Sequence, residues 1–380
     1  MKILKGGITK PSGFKANGLH CGIKRKRLDL SLIACDQPVT CAGVFTKNSV
    51  KAAPLIITEK HLKNNTAQAV VINSGNANCF TGSFGLLYAK RTAELIAKFL
   101  NCKTSDVLVA STGIIGKPLP FKKIEKAAKS LAEGLGKTNT HGQLAAKGIL
   151  TTDTIIKEIS VETTIGGKKV TIGACAKGSG MIEPNMATML CFITTDADIN
   201  AKMLKSALKK AIDPSFNSIT VDGCMSTNDM VTILANGKAK NKKITHASKD
   251  FNQFVKALQF VCLDVAKKIV MDGEGATKFI EVNVRGAKTQ KQAKAIAMKI
   301  ANSNLVKTAA YGNNPNWGRV AAAVGSLGFK INEKDMKITF SSFAKKNIAI
   351  NVDLDLGKEN ATVYTSDLSL DYVKINADYN

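Results

Sequence analysis

The sequence predicts a fold of mixed β-sheets and α-helices, in the α/β or α+β class. Along the 380 residues, segments with apolar side chains at helical spacing intermix with short β-branched runs bounded by turn residues. This intermixing is typical of sheets covered by helices. Helices are predicted at residues 84–100, 121–135, 201–212, 251–270 and 290–307.

Strands are predicted where β-branched and aromatic residues cluster over four to six positions. The part of the chain from 338 to 375 is predicted to consist mostly of strands, including 347–352 and 372–375. No internal repeat or low-complexity tract interrupts the pattern. The other predicted strands cover residues 69–73, 107–110, 170–173, 188–193, 219–221 and 279–284.

The formal net charge of +25 comes mainly from lysines that are spread along the whole chain. Nucleic-acid binders instead cluster Lys and Arg with interleaved aromatic residues, and aromatic residues make up only 6% here. The composition therefore argues against a nucleic-acid partner. A positive surface would steer small carboxylate substrates toward a cleft.

The chain shows neither a secretory signal nor an apolar run of the ~20 residues that a membrane span needs. It has nine cysteines, without a Cys-x-x-Cys pair, and four histidines. We expect reduced, mostly buried thiols in a cytoplasmic protein. No metal site is expected, because the histidines and cysteines lack metal-ligand spacing.

The segment from Ala176 to Cys191 is the most unusual in the chain. A glycine-rich loop leads through a Pro-Asn turn into an apolar strand, and Thr188 stands at the opening of that strand. Taken alone, the pattern is also typical of a simple loop-to-strand junction. A phosphate-binding loop is disfavoured, because the Walker spacing is absent and a strand, not a helix, follows.

This segment closely resembles the ornithine acetyltransferase family of arginine biosynthesis. The similarity extends along nearly the whole chain as short motifs in the right order. They lie at residues 44–48, 73–78, 111–116, 151–154, 177–181, 187–191, 222–223, 272–278, 315–319 and 376–379.

The resemblance implies that the chain cuts itself between Ala187 and Thr188. The products would be an α chain of residues 1–187 and a β chain of residues 188–380, which stay together, commonly as an α2β2 heterotetramer. The implied fold is a sandwich of sheets and helices, similar to the self-processing β-peptidyl aminopeptidases and distinct from the Rossmann type.

The chemistry of Thr188 follows from its functional groups. An N-terminal threonine carries its own base, because its α-amine lies within reach of the hydroxyl proton. Cleavage would thus create nucleophile and base together. The same hydroxyl can attack the preceding carbonyl in an N-to-O acyl shift, so the cut needs no external protease. Small Ala187 suits a backbone bent for that attack.

Acyl transfer passes through a tetrahedral oxyanion, which needs hydrogen-bond donors fixed in advance. By resemblance to the family, the Thr112 hydroxyl and the Gly113 backbone N–H supply this oxyanion hole. Without the resemblance, residues 111–113 read equally well as a turn that ends a strand.

The remaining site residues are implied by motif matches. Lys177 would bind a substrate carboxylate or oppose protonation of the Thr188 amine through like charge. Glu274 would hold a substrate ammonium, and Thr151 would bind substrate, with Thr152 as the alternative. Asn376 matches a substrate contact near the end of the family's chain.

Two positions depart from the family pattern. Asn314 precedes the Pro-Asn-Trp-Gly-Arg motif, where relatives commonly carry aspartate. Many relatives also extend one residue past the position of Asn380, with a Ser or Thr that helps to hold the substrate.

The resemblance implies ping-pong transfer of acetyl from N-acetylornithine to glutamate through acetyl-Thr188, with amino acids as substrates and no cofactor. Whether acetyl-CoA also serves as donor stays open. One alternative is a self-processing amidohydrolase or aminopeptidase that uses water as acceptor. A basic binding protein without catalysis is the other, and there Thr188 would be an ordinary strand residue.

Overall fold

A computed structural model describes residues 1–183 and 189–378 of the chain. The described residues divide into two compact units. The large unit comprises residues 1–178, 189–216 and 225–265, and the small unit comprises 179–183, 217–224 and 266–378.

The large unit contains nine strands in one hydrogen-bonded sheet. They are β1 (Lys2–Leu4), β2 (Phe14–Leu19), β3 (Leu30–Phe45), β4 (Thr66–Asn76), β5 (Val107–Ile114), β6 (Lys157–Ile165), β7 (Lys168–Lys177), β8 (Leu190–Thr195) and β9 (Met230–Ala235).

Six α-helices accompany these strands, and the last residues of the sixth belong to the small unit. Short 3-10 turns lie at Leu62–Asn64, Thr104–Asp106 and Phe216–Ser218. The helices are α1 (Ala53–His61), α2 (Gly82–Leu100), α3 (Phe121–Glu133), α4 (Asn139–Gly148), α5 (Ala201–Ile212) and α6 (Lys249–Met271).

The strand order is β1-β6-β7-β8-β9-β3-β4-β5, with β2 paired to β3. Two neighbouring pairs, β8 with β9 and β4 with β5, are parallel, and the other pairs are antiparallel. A Rossmann sheet is mostly parallel, so the prediction of a different mixed architecture is confirmed.

The long strand β3 joins two halves of this sheet. Its pairing with β4 shifts register between Ala34 and Val39. One apolar cluster contains Val70 and Leu108 from one half together with Phe192 from the other half. The two halves therefore pack face to face around β3, which gives the predicted sandwich.

Alternation along the strands separates this inner core from an outer helical layer. On β4, Val70 and Ile72 belong to the inner cluster, whereas Ala69 and Val71 pack in a second cluster with α2 and α3. In α2, Ala89 and Ala93 lie four residues apart and are buried on the face toward the sheet. The outer layer thus follows from the sequence pattern.

The small unit has a four-stranded sheet in the order β11 (Lys337–Phe340), β12 (Asn347–Asp353), β10 (Phe279–Ala287) and β13 (Glu359–Ser366), with helices against one face. In β10, the side chains of Ile280, Val282 and Val284 face those helices. The elements are β10 (Phe279–Ala287), α7 (Gln290–Ala301), α8 (Asn304–Tyr311), α9 (Trp317–Gly325), a 3-10 turn (Glu333–Asp335), β11 (Lys337–Phe340), β12 (Asn347–Asp353), β13 (Glu359–Ser366) and α10 (Leu370–Ala377).

Three local predictions were wrong. Residues 372–375 form part of helix α10, because the Ser369 hydroxyl caps the N–H of Tyr372 and starts a helix there. Residues 219–221 form a single bridge at Ile219 instead of a strand. The predicted helix 290–307 breaks at Asn302 and Ser303, where the Ser303 side chain caps α8.

No helix in the described part of the chain is long and apolar enough to cross a membrane. Within residues 1–183 and 189–378, no group of three or more His, Cys, Asp and Glu side chains is placed to hold a metal ion.

Candidate functional site

The predicted cleavage site, Ala187 and Thr188, lies outside the described residues, but the strands beside it are described. Leu190 at the start of β8 pairs with Lys177 of β7 on one side and with Met230 of β9 on the other. The Met230 N–H donates to the carbonyl of Met189 at 2.9 Å. The residue that follows Thr188 is therefore held by the sheet.

The predicted oxyanion residues lie at the end of β5. Gly113 has φ +129°, and a Cβ there would come 2.6 Å from the backbone nitrogen of Asn76 on β4. Only glycine fits this position. Thr112 is buried, and its hydroxyl makes no hydrogen bond to another described residue. The hydroxyl is thus available as a donor.

Asn228 connects this strand end with β9. Its Nδ2 donates to the carbonyls of Ala77 at 2.6 Å and Ser111 at 2.8 Å. Ser111 directly precedes Thr112, and Asn228 lies two residues before Met230. One buried amide therefore fixes the oxyanion segment relative to the strand that pairs with β8. The sequence analysis missed this residue, because a polar run before a strand is also typical of a plain turn.

Asp153 brings together two of the predicted substrate residues. Its Oδ1 accepts from Lys157 Nζ and from the Gly178 N–H, both at 2.7 Å. Its Oδ2 accepts from the Thr151 N–H at 3.0 Å and lies 3.9 Å from Lys177 Nζ. One carboxylate thus positions Thr151 and the end of β7 where Lys177 stands.

The charge balance around Asp153 is unusual for a protein interior. Asp153 is 1% exposed and Lys157 is fully buried. Burial acts to raise the pKa of Asp153, but Lys177, Lys157 and the Gly178 N–H outweigh burial, so the pKa lies well below the ordinary range. The group is therefore a carboxylate that two lysines share. The sequence analysis placed Asp153 in a motif but assigned it no role.

A second carboxyl group in this region, that of Asp229, is also buried. Asp229 lies directly before β9, and its Oδ2 has no hydrogen-bond partner among the described residues. Burial raises the pKa of Asp229 well above the usual range, although hydrogen bonds with Ser226 and Thr46 and the charge of Lys177 act in the opposite direction. Burial therefore favours the neutral form of this carboxyl group.

Glu274 and Asn376 lie in the small unit and contact each other. Asn376 Nδ2 donates to Glu274 Oε2 at 3.0 Å. The Glu274 N–H donates to the carbonyl of Ser179 at 3.1 Å, and a Cβ at Gly180 would come 2.5 Å from Glu274 Oε1. The glycine in the predicted loop thus makes room for the carboxylate, which is 7% exposed.

Asp222 fixes the residues that lead toward the cleavage site. Its carboxylate accepts from the N–H groups of Met181 at 2.6 Å and Ile182 at 2.9 Å. The Glu183 N–H donates to the carbonyl of Cys224 at 3.0 Å. The segment before the predicted cleavage site is therefore anchored within the small unit up to Glu183, the last residue described before that site.

The two departures from the family pattern lie at exposed or undescribed positions. Asn314 is exposed, and its N–H donates to the carbonyl of Ala309 at 2.9 Å in the turn after α8. Asn380 lies outside the described residues. Of the predicted residues, Thr112, Gly113, Thr151 with its neighbour Thr152, and Lys177 are in the large unit.

Comparison with known proteins identifies the family. The model of the ArgJ family matches residues 15–380. The arginine biosynthesis bifunctional protein ArgJ of Oceanobacillus iheyensis is 45% identical over 401 residues, which cover 100% of this chain and 98% of that protein.

Two solved structures each match about half of the chain. The arginine biosynthesis bifunctional protein ArgJ of Bacillus halodurans is 41% identical and covers 49% of this chain and 97% of its own, with a TM-score of 0.47. The ornithine acetyltransferase of Mycobacterium tuberculosis, complexed with ornithine, is 36% identical and covers 49% of this chain and 99% of its own, with a TM-score of 0.46. The family match confirms the resemblance predicted from the motifs, and the chain belongs to the ArgJ family.

Proposed function

We propose that this chain is an acetyltransferase of arginine biosynthesis that moves acetyl from N-acetylornithine to glutamate through an acetyl-Thr188 intermediate. The observation that carries the proposal is the family match over residues 15–380, which includes every residue predicted for the site. The products are ornithine and N-acetylglutamate.

The first step is self-cleavage. The Thr188 hydroxyl attacks the carbonyl carbon of Ala187, the C–N bond of the peptide breaks, and the nitrogen takes the proton. Water then hydrolyses the ester, which leaves a carboxylate on Ala187 and restores the Thr188 hydroxyl beside a free α-amine. That amine serves as the base in the later steps.

Acetyl transfer uses the same two groups. The hydroxyl of Thr188 attacks the acetyl carbonyl of N-acetylornithine while its α-amine takes the hydroxyl proton and passes it to the departing ornithine nitrogen. The α-amine of glutamate then attacks the ester, and the released threonine oxygen recovers a proton. Both half-reactions form an oxyanion that the Thr112 hydroxyl and the Gly113 N–H stabilise.

The substrate contacts divide by charge. Lys177, which lies beside Asp153, binds a substrate carboxylate. The Thr151 N–H donates to the carboxylate of Asp153, so Asp153 positions both residues. Glu274 binds the side-chain ammonium of ornithine, and Asn376 holds Glu274 in place through its 3.0 Å hydrogen bond.

Glu274→Ala is expected to damage the acetylornithine half-reaction more than the glutamate half-reaction.

Thr112→Ala is expected to lower kcat by about 10²–10³, because the buried hydroxyl donates to the oxyanion only in the transition state. Steady-state kinetics with saturating acetylornithine and glutamate measure this effect. Thr112→Ser, which keeps the hydroxyl, is the matched control and should retain most of the activity. An unchanged kcat in Thr112→Ala would reduce residues 111–113 to a structural turn.

The kinetic pattern tests the proposed function directly. Initial rates at varied acetylornithine and glutamate should give parallel double-reciprocal lines, because one nucleophile serves both substrates in turn. Intersecting lines would indicate direct transfer in a ternary complex. Steady release of ornithine without glutamate would indicate a hydrolase that uses water as acceptor.

The word bifunctional in the names of the relatives concerns a second activity. For this chain we propose acetyl-CoA as a second donor for glutamate, with no bound cofactor. Incubation of the enzyme with glutamate and either donor separates the two activities. The α2β2 assembly and the cytoplasmic location are part of the same proposal.

A further inference from the structure

Lys24 is a basic residue of the large unit that none of the steps above uses. It lies in the loop between β2 and β3, which Asp29 holds together by accepting from the N–H groups of Cys21 at 2.6 Å and Lys24 at 2.9 Å. The Lys24 side chain lies over Gly75, where a Cβ would come 2.7 Å from Lys24 Cγ. Gly75 pairs with Gly113 across β4 and β5.

The ammonium group of Lys24 ends beside the substrate-binding segment. Its Nζ donates to the carbonyl of Leu150 at 2.8 Å, and Leu150 directly precedes Thr151. This carbonyl is the one acceptor it has among the described residues, so two of its three N–H groups lack a partner. The side chain therefore extends from β4, beside the oxyanion strand, to the residue before Thr151 and retains hydrogen-bonding capacity there.

The charges around Lys24 come from three parts of the chain. Burial is the main cause that lowers its pKa to about 8. Asp29 on its own loop and Asp153 before β6 favour the charged form, whereas Arg27 on the loop and Lys177 at the end of β7 oppose it. The positive charge of Lys177 thus disfavours the charged form of Lys24.

The two amino-acid substrates share a head group and differ at the end of the side chain. Ornithine ends in an ammonium, and glutamate ends in a carboxylate. Lys177 accounts for one carboxylate, which both substrates carry. We infer that Lys24 is a specificity-determining residue that binds the side-chain carboxylate of glutamate, an inference that rests on the proposed function.

The half-buried position of Lys24 suits a site that receives both substrates in turn. Opposite the glutamate carboxylate, the ammonium form is stabilised and takes up a proton from solvent if it was neutral. Without that carboxylate, the same nitrogen releases its proton more readily and becomes a neutral amine. Arginine in this position would stay charged with either substrate.

The test compares the product N-acetylglutamate with its analogue N-acetylglutamine, whose side chain ends in a neutral amide instead of a carboxylate. N-acetylglutamate and N-acetylglutamine are used as inhibitors of acetylornithine turnover. In the wild type, N-acetylglutamate should inhibit at the lower concentration. Lys24→Met keeps the aliphatic packing on Gly75 and should weaken inhibition by N-acetylglutamate about 10- to 100-fold, as expected for a lost charged hydrogen bond, while N-acetylglutamine is unaffected.

Two further variants control this comparison. Lys24→Arg should retain the preference for N-acetylglutamate, because the charge remains. Lys26→Met removes an exposed charge from the same loop and should change neither inhibition constant. It controls for the loss of one positive charge from the protein surface. Equal weakening of both analogues in Lys24→Met would place Lys24 on the shared carboxylate and overturn the inference.

The pH dependence provides an independent readout. The ammonium form binds the carboxylate, and its fraction in the free enzyme falls as the pH rises through about 8. The inhibition constant of N-acetylglutamate, whose amide nitrogen does not titrate, should therefore rise above about pH 8 in the wild type. It should stay flat there in Lys24→Arg. A flat wild-type profile contradicts the inference.

The proposed function and this inference fail in different ways. If Lys24→Met still becomes acetylated by acetylornithine but binds N-acetylglutamate as tightly as the wild type, the transferase stands and the inference is wrong. If the wild type is never acetylated, the proposed function itself is wrong.

Discussion

Replacing Thr188 with alanine is expected to leave the chain uncut and to abolish acetyltransferase activity. The variant loses the hydroxyl that attacks the Ala187 carbonyl, so the peptide bond stays intact and no α-amine appears at residue 188. Both the nucleophile and its base are then missing. Intact-mass analysis should give one species of 380 residues, whereas the wild type should give fragments of residues 1–187 and 188–380.

Thr188→Ser is the matched variant, because serine retains a hydroxyl with the same proton chemistry. It should still cut itself and transfer acetyl. The strand pairing of Leu190 with Lys177 and Met230 does not involve the side chain at 188, so both variants should fold. Full activity in an uncut wild-type chain would exclude the self-cleavage mechanism.

Replacing Asp153 with alanine is expected to have the largest effect on stability among the described site residues. The change leaves the fully buried Lys157 ammonium without its carboxylate. Removing one partner of a buried ion pair costs about 3–5 kcal/mol, because the other charge stays buried after it has lost its counter-ion. Urea unfolding of the purified protein measures the loss.

The chain offers a matched control for this prediction. Asp36 contacts Lys15 at 2.7 Å, the same distance as between Asp153 and Lys157, but both side chains of this pair are exposed to solvent. Exposed pairs contribute about 0–1 kcal/mol, so Asp36→Ala should change the unfolding free energy little. Equal losses in the two variants would show that burial does not determine the effect.

Asp153 also predicts a pH dependence of stability. Its pKa in the folded protein lies well below the value of about 3.9 for an unfolded aspartate. The carboxylate therefore contributes stability above about pH 4, and this contribution is lost as the pH falls further. Asp153→Asn should lack this part of the acid sensitivity. If Asp153→Asn lost stability at low pH as the wild type does, Asp153 would not be the source of this acid sensitivity.

The sequence predicted the architecture well where the spacing of apolar residues determines which face of a strand or helix is buried. Alternation on β4 separates the inner core from the helical layer, and apolar spacing in α2 places that helix correctly. Residues 372–375 were wrong because Val373 and Ile375 suit a strand by composition, whereas the Ser369 cap decides for a helix. Capping depends on one hydrogen bond, which composition does not reveal.

For the site, motif resemblance located the residues but not their supports. Thr151 and Lys177 were predicted separately, and the structure places Asp153 against both. Asn228 and Lys24 were missed, because each acts across more than 50 residues of chain: the Asn228 amide reaches Ser111, and Lys24 reaches Leu150. Contacts of that kind arise from the fold and have no local signature.

The acetyl-enzyme itself is the most direct test of the account. Wild-type protein is incubated with N-acetylornithine alone, quenched rapidly in acid and analysed by intact mass. We expect one acetyl group on the fragment of residues 188–380, with one ornithine released per site, and loss of that acetyl group when glutamate is added before the quench. Full turnover without any acetylated fragment at any time would contradict the account.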